Sequence, residues 1–115
     1  MEALDLIEAE RRLAEAVDEL NRRVDAVAMA RQLREFVSEQ KKMLLAQYAA
    51  PLLNESSNAV AETSARANPA YVSAMADLAE QYRRAEAHIA KWDALHCKVD
   101  ALRSALSLAK TQIQL

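Results

Sequence analysis

Apolar residues recur every seven positions along the first part of the chain. Leu6, Leu13, Leu20 and Val27 form this repeat, and no proline or glycine lies within residues 3–49. A seven-residue apolar repeat places its members on one face of a helix. The pattern therefore predicts one helix over about residues 3–49. Such a helix would reach roughly 70 Å at 1.5 Å per residue, so we expect it to pack in the manner of a coiled coil.

The repeat is interrupted halfway along this helix. Arg34 follows Val27 by seven positions, and Arg31 follows Val24 on the adjoining ridge by seven positions, so both arginines stand where the spacing asks for apolar side chains. The apolar positions then resume in a shifted register at Leu33, Phe36, Val37, Met43, Leu44 and Tyr48. A shift of register changes the face that a helix presents to its neighbour, so we expect a bend or a change of packing partner near residues 28–34.

Two prolines divide the rest of the chain. Pro51 lacks the N–H that a helix interior needs, so the first helix is expected to end by about residue 50. An asparagine directly precedes Pro69, which combines a favoured N-cap side chain with a proline at the first helical position. A second long helix is therefore expected over about residues 69–112. The alanine-rich connector, about residues 51–67, predicts a short helix that packs loosely beside the long ones.

A second seven-residue repeat runs along this second helix. Its members are Tyr71, Leu78, Ala85, Trp92, Val99, Leu106 and Ile113. Two long helices joined by a connector that reverses the chain form an antiparallel hairpin, so the sequence predicts a single all-α domain over residues 1–115. The core seam predicted from both repeats consists of Leu6, Leu13, Leu20, Val27, Tyr71, Leu78, Trp92, Val99 and Leu106.

A lone hairpin leaves much of its apolar surface in water unless a second hairpin covers it. We therefore expect a homodimer, most simply a four-helix bundle with closed two-fold symmetry. The pattern leaves open whether the helices pair within one chain or are exchanged between two chains.

The lack of any glycine among the 115 residues narrows the choice of function. Turns and β-bulges favour a residue that tolerates positive φ, so the composition supports an all-helical chain. It also excludes the glycine-rich phosphate loop, the dinucleotide-binding fingerprint and the strained turn that presents a hydrolase serine. The formal net charge of −2 does not indicate a dedicated binder of nucleic acids or anionic membranes.

Cysteine content and the amino terminus bear on the compartment. Cys97 is the single cysteine, so the chain cannot form an internal disulfide, which fits a reducing compartment. The first residues lack the basic start of a signal peptide, and no apolar run approaches the length that spans a bilayer. We therefore expect a cytoplasmic protein without membrane contact.

Few residues offer catalytic or metal-binding chemistry. Asp93, His96 and Asp100 share one helix face at i, i+3 and i+7, a set that could bind a metal ion but is more simply a group of helix-stabilising surface charges. Cys97 and His96 diverge by about 100° around the helix and cannot act as nucleophile and base. We interpret Cys97 as a partly buried thiol at the edge of the seam. No enzyme activity, cofactor or metal is expected.

A row of cationic residues is the most informative polar pattern. Arg12, Arg23 and Arg34 follow one another at eleven-residue intervals, and Lys41 comes seven residues later on roughly the same side of the helix. Such a row could follow a phosphate backbone, with Trp92 or the tyrosines stacking on bases. The stronger interpretation is a solvated face with ion pairs, because an acidic residue lies four positions before Arg12 and another lies four positions before Arg23.

Three segments of the carboxy-terminal half are distinctive: Asn68-Pro69-Ala70-Tyr71, Lys91-Trp92-Asp93-Ala94-Leu95 and Ala101-Leu102-Arg103-Ser104. In these segments the chain resembles small helical proteins of tailed bacteriophages and prophages, some of which are encoded beside recombination genes. With weaker similarity upstream, the resemblance covers about two-thirds of the chain. It implies phage origin, action in the cytoplasm of a bacterial host and an accessory role in recombination, and it brings no catalytic residue.

The leading hypothesis is a non-enzymatic, phage-type helical oligomer that serves as an accessory factor in DNA recombination or single-strand handling. Its DNA contact would depend on the cationic row. The alternative is an adaptor or inhibitor that binds a host protein or another phage protein and never touches nucleic acid.

Overall fold

The computed structural model describes residues 3–114, and these residues are almost entirely helical. Helix α1 spans Ala3–Ala49 and continues into a short 3-10 turn at Ala50–Leu52. Helix α2 spans Asn58–Ala67, and helix α3 spans Pro69–Gln114. No β-strand occurs between residues 3 and 114. The prediction of an all-α chain with a long first and a long last helix is therefore confirmed.

The contacts within the chain divide it into two compact units. The terminal unit contains the chain up to Ala28 together with the chain from Ala87 onward, and the central unit contains Met29–Glu86. The boundary in α1 falls inside the segment where the apolar repeat is interrupted. The helix does not break there, since α1 is helical throughout residues 28–34, which contain no proline or glycine.

The core of the terminal unit is built from both long helices. Val99 of α3 packs with Ala16 and Leu20 of α1, and partly buried Leu13, Val17, Trp92 and Leu95 surround them. An ion pair between Glu10 and Lys110, 3.4 Å apart, joins the same two helices. The contacts pair early positions of α1 with late positions of α3, so the two segments run antiparallel within this unit.

The core of the central unit depends on alanine. Its buried residues are Ala30, Ala49, Ala61, Ala65, Leu78 and Ala85, so Leu78 is the one large apolar side chain buried among residues 29–86. Helix α2 packs through Ala61 and Ala65 against Ala49, with Leu45 and Tyr48 beside them. Ala61 is 0% exposed. The prediction that the connecting helix packs loosely is wrong for this face, because alanine lets two helix backbones approach closely.

Side-chain caps fix both ends of the connector. The Ser57 hydroxyl oxygen accepts a hydrogen bond from the Val60 N–H at 3.4 Å, which caps the start of α2. The Asn68 side-chain oxygen accepts one from the Ala70 N–H at 2.9 Å, and α3 begins at Pro69. These bonds satisfy N–H groups that have no partner within the helix.

The residues of the predicted seam are buried or half-buried. Leu20, Val27, Leu78, Val99 and Leu106 are buried, whereas Leu6, Leu13, Tyr71 and Trp92 are half-buried. Ile113, the last member of the second repeat, is exposed. None of the helices in residues 3–114 is long and apolar enough to cross a lipid bilayer.

Candidate interaction surfaces

Most of the cationic row is engaged with carboxylates. Arg12 Nε lies 3.2 Å from a carboxylate oxygen of Glu8, and Arg23 Nε lies 2.6 Å from one of Glu19. Arg34 donates two hydrogen bonds to Glu86, at 2.7 and 2.6 Å. Arg12 and Arg23 belong to the terminal unit, whereas Arg34 and exposed Lys41 belong to the central unit. The structure therefore assigns the row to two separate units.

Neighbouring arginines reinforce this pairing in the terminal unit. Arg11 donates to both Glu8 and Glu15, and these carboxylates raise its pKa above the ordinary arginine value. Hydrogen bonds from Arg11, followed by Arg12, lower the pKa of Glu8. A shallow groove of about 570 Å³ is lined by these charges together with Lys98 and Leu102. Both arginines of the groove pair with its two carboxylates, so most of its charge is already engaged within the chain.

Glu19 binds two arginines of the terminal unit. Arg22 donates to its carboxylate at 2.6 Å, as Arg23 does. Hydrogen bonds from Arg22 and Arg23 lower the pKa of Glu19. A three-residue spacing on a helix brings side chains as close as a four-residue spacing does, so Glu19 can receive both arginines.

Packing contacts hold the rings of Trp92, Tyr48 and Tyr71. Trp92 lies against the core of the terminal unit, and its ring meets the His96 ring edge-on with 4.9 Å between centroids. Tyr48 and Tyr71 form a similar pair in the central unit, with 5.9 Å between centroids. The tyrosine pair joins α1 to α3, whereas Trp92 and His96 both belong to α3. Base stacking would have to compete with these contacts.

The candidate metal and thiol residues do not form a site in the described residues. Asp93, His96 and Asp100 are exposed, and no three His, Cys, Asp or Glu side chains between residues 3 and 114 are arranged to hold a metal ion. Cys97 is exposed, so the prediction of a partly buried thiol is wrong. Position 97 lies about 200° around the helix from Val99, which places it on the opposite face from the core.

An apolar stripe on α1 of the central unit lacks a covering element. The outer stripe consists of Met29, Phe36 and Met43, whose exposed fractions are 70%, 49% and 68%. In the sequence, Phe36 and Met43 belong to the resumed apolar pattern, which does not include Met29. The exact seven-residue spacing of all three was the signal that could have revealed a second apolar face.

A groove lies beside the outer stripe, between α1 and α3 of the central unit. It measures about 370 Å³, and its apolar walls include Met43 and Leu44 from α1 and Leu78 from α3. The amide side chains Gln40, Gln47 and Gln81 line it as well, together with the carboxylate of Asp77. Apolar groups flanked by hydrogen-bonding groups are suited to binding a helix of another protein, because that helix buries its apolar face in the groove while the flanking groups bind its polar edge.

Comparison with protein-family models, with curated proteins and with solved structures gives no match for this chain. The function must therefore be inferred from the surfaces themselves. The cationic row is largely occupied by carboxylates of the same chain, whereas the outer stripe presents apolar area to water. The outer stripe is accordingly the stronger candidate for an interaction site.

Proposed function

We propose that this protein is a non-catalytic helical protein of the phage accessory type that acts by association, first of all with a second copy of itself. The single observation that carries the proposal is the outer stripe. Three large apolar side chains share one seven-residue spacing there, in a unit where Leu78 alone supplies a large buried side chain. Such a spacing is the pattern by which one helix buries its side chains against another.

The energetics favour association through this surface. Burial of apolar area is worth about 25 cal/mol per Å², and methionine adapts its shape to the surface that it meets. A second hairpin would cover the stripe and supply the large side chains that the alanine-rich core of the central unit lacks. The simplest product is a four-helix bundle formed by two chains.

The DNA-handling role remains a hypothesis supported by the resemblance and by the cationic row. A phosphate backbone would have to displace Glu8, Glu19 and Glu86 from the arginines that they contact, and this competition weakens the electrostatic gain. Fluorescence anisotropy with labelled single- and double-stranded DNA across a salt series tests the role directly. DNA binding that weakens steeply with added salt would support the DNA-handling role. No DNA binding at low salt would leave association with proteins as the function.

Light scattering at micromolar concentration tests the proposed association. The expected mass is twice the chain mass of 12.8 kDa. Met43→Glu places a charge in the outer stripe and should shift the mass towards the monomer. Val72→Glu is the matched control, because Val72 is an exposed apolar residue of α3 in the same unit but lies outside the stripe. A monomer mass for the unaltered chain would contradict the proposal.

A heterologous partner is the second candidate, and the same surface would serve it. The groove favours it, because its apolar wall can hold the apolar face of a partner helix while the three amides and the Asp77 carboxylate offer hydrogen bonds to the polar edge of that helix. A monomeric protein whose outer stripe is protected from solvent only in the presence of another phage or host protein would identify this adaptor function.

A further inference from the structure

We propose that the second copy binds antiparallel along α1, with the two-fold axis beside Phe36, so that Met29 of each copy packs against Met43 of the other. This inference rests on the proposed self-association and specifies its geometry. In a two-fold interface both copies use the same surface, so every contact between two different residues occurs twice.

The spacing of the outer stripe fits this symmetry. Met29 and Met43 each lie seven residues from Phe36, on opposite sides of it. A rotation of 180° about an axis beside Phe36 therefore exchanges the two methionine positions and returns Phe36 to its own counterpart. Each methionine then meets a methionine, and the two phenylalanine rings meet at the axis.

The position of α3 distinguishes antiparallel from parallel pairing. In the central unit, Leu44 lines a groove with Leu78 of α3, and Tyr48 contacts Tyr71 of α3. At about 100° per residue, Leu44 and Tyr48 lie roughly 80° and 120° around α1 from Phe36, in the same direction. Helix α3 is therefore placed about a quarter turn from the outer stripe.

This quarter-turn placement of α3 determines how the α1 and α3 helices of two copies can be arranged. An antiparallel two-fold axis is perpendicular to the helices, so it brings α3 of both copies to the same side of the α1 pair, where they lie next to each other. The result is a square of four helices. A parallel two-fold axis would place the two α3 helices on opposite sides and leave both grooves open.

The remaining element of the central unit leaves the surface accessible. Leu45 packs with the buried alanines of α2, and it lies about 180° around α1 from Phe36. Helix α2 thus covers the side of α1 that faces away from the outer stripe. Gln32 and Glu39 are both exposed on one flank of the stripe, and the rotation brings the amide of Gln32 to the height of the Glu39 carboxylate in the second copy.

Cysteine cross-linking of the full chain tests the geometry, with Cys97→Ser as the background so that each variant carries one thiol. Phe36→Cys should form a disulfide-linked dimer with itself under a mild added oxidant, because the axis passes beside that position. Met29→Cys should not, because the two copies of position 29 are separated by about 21 Å along the helix axis, the rise of fourteen residues. A mixture of Met29→Cys and Met43→Cys chains should yield a dimer that contains one of each.

The outcomes separate this inference from the proposed function. Circular dichroism first verifies that each variant is helical, and light scattering on the Cys97→Ser chain gives its mass. A dimer that cross-links through Met29→Cys alone would be parallel and would overturn the inference, as would a dimer in which Phe36→Cys gives no cross-link. A monomer mass would overturn the proposed self-association and, with it, this geometry. The three expected cross-linking results together would establish the antiparallel pairing.

Discussion

Arg34 and Glu86 form a two-point ion pair that joins α1 to α3 in the central unit. Arg34 Nε lies 2.7 Å from one carboxylate oxygen, and Nη2 lies 2.6 Å from the other. Parallel hydrogen bonds of this kind fix the relative orientation of both side chains. In the sequence, Arg34 interrupts an apolar repeat and extends a cationic row. In the structure it is a contact between helices, which explains its place within a packing surface.

This ion pair should make the protein less stable in acid. Hydrogen bonding to Arg34, the charge of Arg34 and the Tyr82 hydroxyl lower the pKa of Glu86 below its ordinary value of 4.5. A carboxyl with a lowered folded-state pKa contributes stability that is present above the unfolded-state pKa and is lost as the pH falls through the folded-state pKa. Glu86→Gln should therefore lower the urea midpoint at pH 7 and have little effect below the folded-state pKa of Glu86.

The control for this prediction is the double variant Arg34→Gln, Glu86→Gln. If the ion pair causes the effect, the losses in free energy of unfolding of the two single variants should add up to more than the loss of the double variant at pH 7. Each single variant already loses the whole pair, so the sum counts the pair twice. A Glu86→Gln effect that is equal at neutral and acidic pH would point to lost packing and contradict the electrostatic explanation.

Glu80 offers a second, local test of the ion pairs. Hydrogen bonds from Arg83, and then from Arg84, lower the pKa of Glu80 to about 2. Its carboxyl carbon should therefore still report the ionised form at pH 3 in a carbon-13 NMR titration. Arg83→Gln should raise this pKa. Arg66→Gln, which removes the partner of Glu62, should leave it unchanged, and an equal shift in both variants would contradict the local cause.

Leu20 should carry a large share of the stability of the terminal unit. It is buried between Ala16 and Val99, so Leu20→Ala removes apolar contacts and leaves a cavity, at a cost of about 2–3 kcal/mol. Leu108→Ala is the matched control, because Leu108 is an exposed leucine of the same unit, and it should cost less than about 0.5 kcal/mol. The fluorescence of Trp92, the single tryptophan, reports the transition because its ring packs on this cluster. Equal shifts of the urea midpoint would contradict the assigned core.

The sequence predicted the long helices well because their signals are local. One seven-residue repeat places Leu20 on the core face of α1, and a second places Val99 and Leu106 on the core face of α3, each without reference to the rest of the chain. The start of α3 depends on the cap of Asn68 and on the fixed φ of Pro69, which are also local. These features need no knowledge of tertiary contacts.

The candidate site was harder to predict because a repeat marks a face but does not identify its neighbour. Phe36 and Leu44 both belong to the resumed apolar pattern. Leu44 nevertheless lies in the groove beside α3, whereas Phe36 faces solvent in the outer stripe. The pairing of Arg34 with a carboxylate 52 positions away likewise depends on how the chain returns along itself. Cys97 differs, since its angular distance from Val99 was available from the sequence and would have indicated an exposed thiol.

Ala61 determines how closely α2 approaches α1, and its substitution provides the last test. Its Cβ is fully buried against Ala49, so no space remains for a larger side chain. Ala61→Leu should force the two helices apart and destabilise the central unit by about 1–3 kcal/mol, the usual cost of overpacking. Ala59→Leu makes the same chemical change at an exposed position of α2 and should be nearly neutral. Hydrogen exchange of the α2 amides measures both effects, because faster exchange in Ala61→Leu alone would show that α2 has lost its contact. Slow exchange in both variants would mean that α2 tolerates a wider separation, and the close alanine contact would then not be what holds it.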